Sequence, residues 1–279
     1  MTTPKAPEVL FFDVFGTCVQ QRRPLGDELS TAAAEALKSN AATLDEAVRL
    51  KAEKMTYEQW FDFGGNWNKD VDDFTADMKA KSNSVDWHAV DAYRLTSLYK
   101  LLRQSSLLLP DPNYPESTTT QPGSLFTDPQ LLKLNSIWSR LPPWDDTKAG
   151  LTLLNKNFIT ATLSNTHETN MRAIIDHSSL PFQHVFTSSM FNSYKPNAKV
   201  YQGAAEKLGF QPEECALVAA HLGDLKGAKD AGFGMAIYVE RELEEKEPEL
   251  VGQGIPDLIV QEGRGGFVKL AEILGVKKD

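Results

Sequence analysis

The stretch Val9-Leu10-Phe11-Phe12-Asp13-Val14-Phe15-Gly16-Thr17 decides how this chain is read. Four apolar residues run without a polar break and stop at Asp13, with Gly16 close behind. An unbroken apolar run ended by a turn signal suits a strand covered on both faces, as in a parallel sheet. Working outward, the signature returns after Gly150. Phe158 to Leu163 is rich in β-formers and leads into Ser164-Asn165. Val185 to Thr187, Ala216 to Ala220, Met235 to Val239 and Leu258 to Val260 complete the strand set. Helical patterns lie between them: Ala198 to Leu208 stopping at Gly209, Leu225 to Ala231 stopping at Gly232, and Phe267 to Leu274 closing the chain. Alternating strands and helices predict a parallel sheet with helices on both faces.

From Pro24 to about Trp144 the pattern is helical. Leu29, Ala33, Ala36 and Leu37 recur at helical spacing, as do Val85, Val90, Tyr93, Leu98, Leu101 and Leu102. A third set is Leu131, Leu134, Ile137, Trp138 and Leu141. The expected fold is therefore α/β: a Rossmann-like, doubly wound parallel sheet over 8–23 and 145–279, with a helical domain inserted at 24–144. The stretch 109–128, with Pro110, Pro112, Pro115, Pro122 and Gly123, reads as a long loop, either a mobile surface insertion or a lid. Glu240 to Glu249 reads as a solvated acidic segment.

Of 279 residues, 41% are apolar and 24% charged, enough for a sizeable core. The balance of 29 basic against 38 acidic residues gives a net charge of −9. With no dense Lys/Arg cluster, nucleic acid and anionic membranes are poor partners, whereas a small anionic substrate in a locally positive pocket is compatible. Two cysteines, Cys18 and Cys215, make neither a disulfide framework nor a four-ligand zinc site and point to a reducing compartment. No run approaches the roughly 18 apolar residues of a membrane span. The polar, Pro-broken start Met1 to Pro7 lacks the shape of a signal peptide. The expectation is a cytoplasmic protein.

Ligands of open α/β sheets bind at the carboxyl ends of the strands. The polar residues placed there are Asp13 and Thr17, Ser164 and Asn165, Lys195, and Asp224. Singly, each reads as well as a cap or a turn residue. Together they put two carboxylates, an amine and hydroxyls at one sheet edge. A lysine beside a carboxylate keeps it ionised, as a nucleophile must be.

The series Phe12-Asp13-Val14-Phe15-Gly16-Thr17, Leu163-Ser164-Asn165, Tyr194-Lys195-Pro196 with Val200-Tyr201, and Val218 to Asp224 resembles the haloacid dehalogenase superfamily, and more narrowly its type II 2-haloacid dehalogenases. The resemblance spans about residues 8 to 275 and makes the helical block a cap domain. It implies that Asp13 is a nucleophile attacking the carbon that bears the halogen. It further implies that Thr17 and Ser164 hydrogen-bond carboxylates, that Asn165 helps hold the halide, that Lys195 neutralises Asp13 with Tyr201 nearby, and that Asp224 fixes the lysine and positions water. A cap arginine is also implied; Arg49 is the best match, Arg22 a second candidate, and Arg49 reads equally as an ordinary exposed helix residue.

Three positions are informative against the patterns of the superfamily. Phosphatases of the superfamily carry a second Asp where this chain has Phe15, and a phenyl ring cannot protonate a leaving alkoxide. A halide needs no proton, so Phe15, counted with the substrate-binding residues, favours carbon–halogen displacement. Ala219 and His221 stand where a dehalogenase usually has Ser and Asn. His221 reads either as a structural histidine or as a site residue, replacing the amide or acting as a general base. The expected activity is hydrolysis of a short 2-haloalkanoic acid, as by an (S)-2-haloacid dehalogenase, through an aspartyl ester, with no cofactor. One alternative is a magnesium-dependent phosphatase, with Asp13, the Phe15 carbonyl and Asp224 on the ion. A second is a non-catalytic binding protein on the same fold. The expected partner is a small carboxylate; a homodimer is left open.

Overall fold

The computed structural model describes residues 6–114 and 117–277. The expected start of the chain at Met1 to Lys5, and Pro115 within the expected loop, lie outside the described residues. The chain divides into two compact units. One comprises residues 1–21, 82–87 and 139–279, the other 22–81 and 88–138.

The first unit is a six-stranded, wholly parallel sheet. Its strands are β1 (Val9–Phe12), β2 (Ile159–Ser164), β3 (His184–Thr187), β4 (Cys215–Ala219), β5 (Met235–Val239) and β6 (Leu258–Val260), in the order β3-β2-β1-β4-β5-β6. Among the described residues the second unit holds α1 (Arg22–Ser39), α2 (Glu46–Glu53), α3 (Tyr57–Lys81), all but the first residue of α4 (Trp87–Gln104), and α5 (Asp128–Asn135). The sheet unit adds α6 (Thr147–Leu154), α7 (Glu168–Ser178), α8 (Ala198–Leu208), α9 (Leu222–Asp230) and α10 (Gly266–Ile273). The strand order reverses at β1, which pairs with β2 on one side and β4 on the other. In open α/β sheets a ligand crevice opens at such a reversal.

All four residues of β1 are fully buried because its two faces feed two cores. Val9 and Phe11 enter the layer of α8 and α9, with Val200, Tyr201, Leu225 and Phe233. Phe12 turns to the other side, where it meets Phe182 and Phe267 edge-on at 5.5 and 5.1 Å. Strand alternation sends successive side chains to opposite faces, and each buried phenylalanine contributes about 1.5–3 kcal/mol. Helix α8 starts at Asn197, whose side chain accepts from Lys199 N, and ends on left-handed Gly209.

The helical unit packs around Trp67 of α3, whose Nε1 donates to Arg94 O and whose ring meets Trp138 at 5.3 Å. The buried Arg94 guanidinium lies 4.7 Å from the Trp138 ring and pairs with Asp91. Among the described residues this unit contains no strand. The third apolar set does not make one helix: α5 stops at Asn135 and a 3₁₀ turn over Ser136–Ser139 carries Ile137 and Trp138 into the core. Among the described residues the 109–128 stretch has no helix before Asp128, and both its limbs are tied down. Leu125 N donates to Leu107 O, Leu109 N to Ser124 Oγ, and Leu125 and Phe126 are buried.

The acidic segment corrects the expectation of a solvated run. Glu242, Leu243, Lys246 and Glu247 are exposed, but Glu244 is 2% exposed and the Arg241 side chain is buried. Arg241 stays inside because Asp146 takes its guanidinium through two parallel hydrogen bonds of 2.6 and 2.9 Å. The rings of Trp144 and Phe267 flank it.

Helices α6 and α10 approach closely at Gly150, where a methyl group would lie 2.3 Å from Phe267 Cβ. Gly150→Ala should therefore push these helices apart and destabilise the protein by about 1–3 kcal/mol. Urea unfolding should show a lower midpoint at unchanged slope; an unchanged midpoint would mean that the contact is slack.

Candidate active site

Asp13 is the first residue past β1, and its backbone N–H still pairs with Val218 O of β4. The chain then turns back on itself. Cys18 N and Val19 N both donate to Val14 O, and Gly16 takes φ of 76°, which glycine adopts without strain. The carbonyls of Gly16, Thr17 and Cys18 are claimed from outside the turn. Gly16 O accepts from Trp144 Nε1, Thr17 O from Arg241 Nε, and Cys18 O from Trp144 N and Thr147 Oγ1. The Cys18 thiol donates to Asp13 O, and burial, then the Asp13 charge, push it well above its usual range. It is not a reactive thiol.

Three groups converge on the Asp13 carboxylate, which is 6% exposed. Lys195 Nζ donates to Oδ1 at 2.9 Å, while Thr17 Oγ1 donates to Oδ2 at 2.8 Å. His221 Nδ1 lies 3.0 Å from the same Oδ2. Thr17 is itself oriented, because its oxygen accepts from Ala220 N at 2.9 Å. Burial works against ionising Asp13, but the Lys195 charge and the His221 hydrogen bond outweigh it. The carboxyl stays well below its ordinary range.

Lys195 is buried between two anions, Asp13 and Asp224, the latter at 2.5 Å. Burial disfavours its charge; the two carboxylates more than compensate and raise its pKa. Tyr201 of α8 donates to the second Asp224 oxygen at 2.5 Å, and burial followed by the Asp224 charge keeps that phenol protonated. His221, between β4 and α9, is likewise disfavoured as a cation by burial. Its hydrogen bond to Asp13 outweighs this and raises its pKa above 6.5.

The structure thus brings Asp13, Thr17, Lys195, Tyr201, His221 and Asp224 into one hydrogen-bonded cluster. Ser164 ends β2 with its Oγ buried and without a protein partner. Asn165 is an internal strut: its Oδ1 accepts from Lys195 N and Ser188 Oγ, and its Nδ2 donates to Lys195 O. The amide therefore braces the lysine's backbone. Phe15 sits in the turn, bridged to Val19. Arg49 and Arg22 belong to the helical unit. Arg49 is exposed and pairs with Glu53 at 3.2 Å, and Arg22 lies 5.5 Å over the Phe61 ring.

A magnesium ion on Asp13 and Asp224 does not fit this donor set. The gap between the two carboxylates is filled by the Lys195 ammonium, and their other oxygens hold Thr17, His221 and Tyr201. Among the described residues no three His, Cys, Asp or Glu side chains cluster as ligands.

Sequence reasoning missed the Arg241–Asp146 pair, Trp144 and Glu244. The signal was faint: one arginine and a tryptophan beside acidic residues, with partners far away in the chain.

A family model for haloacid dehalogenase-like hydrolases matches residues 7–232. (S)-2-haloacid dehalogenase 4A of Burkholderia cepacia is 30% identical over 104 residues, 36% of this chain and 45% of that protein. The match therefore spans under half of the relative's length. The solved L-2-haloacid dehalogenase PA0810 is 24% identical, with a TM-score of 0.70 over 98% of this chain and 100% of that one. The L-2-haloacid dehalogenase from Xanthobacter autotrophicus is 18% identical, with a TM-score of 0.66 over 97% of this chain and all of the other. At these identities the two structures speak for the fold.

Lys195→Met should leave two buried carboxylates without their cation and destabilise the protein by about 3–5 kcal/mol at neutral pH. Asp13 has a folded pKa below its unfolded one, so its contribution is present above about pH 4 and is lost as the pH falls through the folded value. Lys195, shifted upward, contributes until the pH passes about 10. Denaturation across pH should therefore show the widest gap to wild type between those limits, narrowing in acid. A pH-independent gap would mean that the lysine acts by packing alone.

Proposed function

The chain belongs to the haloacid dehalogenase-like hydrolases, and on that premise we propose that it hydrolyses the carbon–halogen bond of a short 2-haloalkanoic acid of (S) configuration. The observation that carries this reading is an ionised, buried carboxylate held by Lys195, Thr17 and His221, with Phe15 where an acid would be needed to protonate an alkoxide. Asp13 attacks C2 of the substrate, the carbon–halogen bond breaks, and the halide leaves with the electron pair. No proton is required. The product of this step is an ester on Asp13. Splitting displacement by water into an intramolecular attack and an ester hydrolysis lowers both barriers.

The second step adds water to Asp13 Cγ. His221 faces that group and takes the proton when its ring is neutral. Thr17 Oγ1 and Lys195 Nζ face the carboxyl oxygens and are placed to stabilise an oxyanion on the tetrahedral carbon. The buried, unpartnered Ser164 Oγ supports a polar ligand group at the end of β2, such as the substrate carboxylate. A halide contact at Asn165 would fall to the Nδ2 proton not used on Lys195 O. A reducing, cytoplasmic setting belongs to the same reading, supported by two buried free thiols. Among the described residues no helix is long and apolar enough to cross a membrane.

The deciding experiment is a single turnover of a 2-haloacid in ¹⁸O-labelled water. Label should enter the Asp13 carboxylate while the hydroxy acid carries an oxygen from the protein. Asp13→Asn should release no halide while remaining folded, and excess chelator should leave turnover intact. Label appearing directly in the product, with none on Asp13, would overturn the covalent mechanism. Release of phosphate from phosphate esters, lost on chelation and restored by magnesium, would replace the substrate reading.

His221→Ala should slow ester hydrolysis by about 10²–10⁴-fold, so that the Asp13 ester accumulates and is detected by mass. In the wild type the hydrolytic step needs neutral His221. Its rate should therefore rise with pH through the His221 midpoint of the ester form, which lies below that of the resting protein because the Asp13 charge is gone, whereas halide release stays flat into acid because Asp13 remains ionised there. Wild-type rates in the alanine variant would make His221 structural.

A further inference from the structure

Glu244 is a buried carboxylate for which the reaction outlined above has no use. It lies in the segment after β5, and its Oε1 accepts from Gln21 N at 2.8 Å. A β-carbon added to Gly16 would lie 2.8 Å from Glu244 Oε2 and 3.1 Å from His221 Cε1. The carboxylate and the imidazole thus border the same small space beside the nucleophile turn, and only a residue without a side chain fits between them. Cε1 joins the two ring nitrogens and shares the positive charge of a protonated imidazole.

The segment is built to aim this side chain inward. Arg241 is fixed by Asp146, and Glu244 N closes a turn onto Arg241 O at 3.2 Å. Leu243, half exposed, takes φ of 66°, a backbone conformation rare for residues other than glycine. Such conformations persist where the surrounding structure imposes them. One residue further on, Glu245 Oε2 accepts from Leu222 N at 2.9 Å, docking the segment on the first turn of α9, next to His221.

We propose that Glu244 is a positioning residue for ester hydrolysis, acting on the neighbouring His221 ring through its charge rather than a hydrogen bond and balancing the charge that the ring gains when Asp13 is an ester. This rests on the covalent reading of Asp13. In the resting protein burial and the Lys246 charge oppose protonation of His221, while the Asp13 and Glu244 carboxylates favour it; Lys195 sits on the same Asp13 carboxylate. Alkylation removes the Asp13 charge. The ring then becomes easier to deprotonate, as a base for water must be, and Glu244 is the carboxylate left to receive the cation. Water adds to Asp13 Cγ and gives a proton to His221. The tetrahedral intermediate breaks its bond to the substrate oxygen, and the departing alkoxide takes that proton back. Asp13 is left as the acid and releases its proton to solvent, which balances the halide already lost.

Glu244→Gln keeps the shape and an acceptor for Gln21 N but removes the charge. Two measurements test it. Imidazole NMR titration of His221 in the Asp13→Asn protein, which mimics the uncharged ester and needs no substrate, should show the midpoint falling by about one pH unit when Glu244→Gln is added. In single turnovers the pH profile of ester hydrolysis should move to lower pH by a similar amount. The Asp13 ester should also build up more than in the wild type. Glu244→Asp, shorter but charged, should return the midpoint toward the wild-type value. An unmoved His221 midpoint in the folded variant, or equal slowing of halide release and ester hydrolysis with an unmoved profile, would reduce Glu244 to a structural residue. If no haloacid is turned over at all, the NMR arm still decides the placement of charge, and the failure then belongs to the substrate reading.

Discussion

The Lys195 ammonium lies between Asp13 Oδ1 and Asp224 Oδ2, at 2.9 and 2.5 Å, with its side chain 5% exposed. Taking such ions out of water costs several kcal/mol each, and the cost is offset only where every remaining proton and lone pair is met. Here the second oxygens of both carboxylates are met: Thr17 and His221 take that of Asp13, and Tyr201 takes that of Asp224. This requirement fixes much of the architecture. The three charges come from the end of β1, from the segment beyond β3 and from the start of α9. They can meet only if β1 is central, with β2 and β4 beside it. Asn165, at the end of β2, then holds the Lys195 backbone by both its amide groups.

A second buried ion pair does different work with different chemistry. Arg241 and Asp146 meet fork to fork, and the guanidinium lies between two aromatic rings while its Nε reaches Thr17 O. A planar, permanently charged group with several fixed donors suits a clamp. A lysine is a compact point charge that two carboxylates can share, which suits a centre where charge must move. Asp146 also accepts from Phe267 N, so the clamp ties the nucleophile turn to α10 as well. The turn keeps its shape because the carbonyls of Gly16 and Thr17 are held by residues 128 and 224 positions away in the chain.

This distinction also separates what could be read from sequence from what could not. Strands β1, β5 and β6 fall where their apolar runs place them, and for β1 and β5 this is because a parallel strand buried on both faces has no polar position to blur its ends. The cluster of Asp13, Thr17, Lys195 and Asp224 was legible since each residue follows a strand at the same sheet edge. The acidic segment was not. Charge density there says solvent, and the burial of Arg241 and Glu244 depends on Asp146, 95 residues away, and Gln21, 223 away. The broken third helix of the inserted block escaped for a similar reason. Ile137 and Trp138 keep a helical spacing, but the Trp138 ring follows Trp67 and Arg94 rather than the axis of α5.

Phe15 takes on meaning beside this charge arrangement. In the proposed reaction one negative charge passes from Asp13 to a leaving halide, and none of the intermediates of that step needs a proton. The cations do not move: Lys195 retains Asp224, and His221 retains Glu244 as its neighbour. The centre therefore becomes more positive as the carbon–halogen bond breaks, which favours an anion departing nearby. When water regenerates the Asp13 carboxylate, the original balance returns. An acid at position 15 would add a further titrating carboxyl beside this sequence of charges with no proton to deliver to the halide. An aromatic ring adds no charge. The apolar residue and the dense set of cations are two parts of one solution, a carboxylate that stays ionised and reactive while buried.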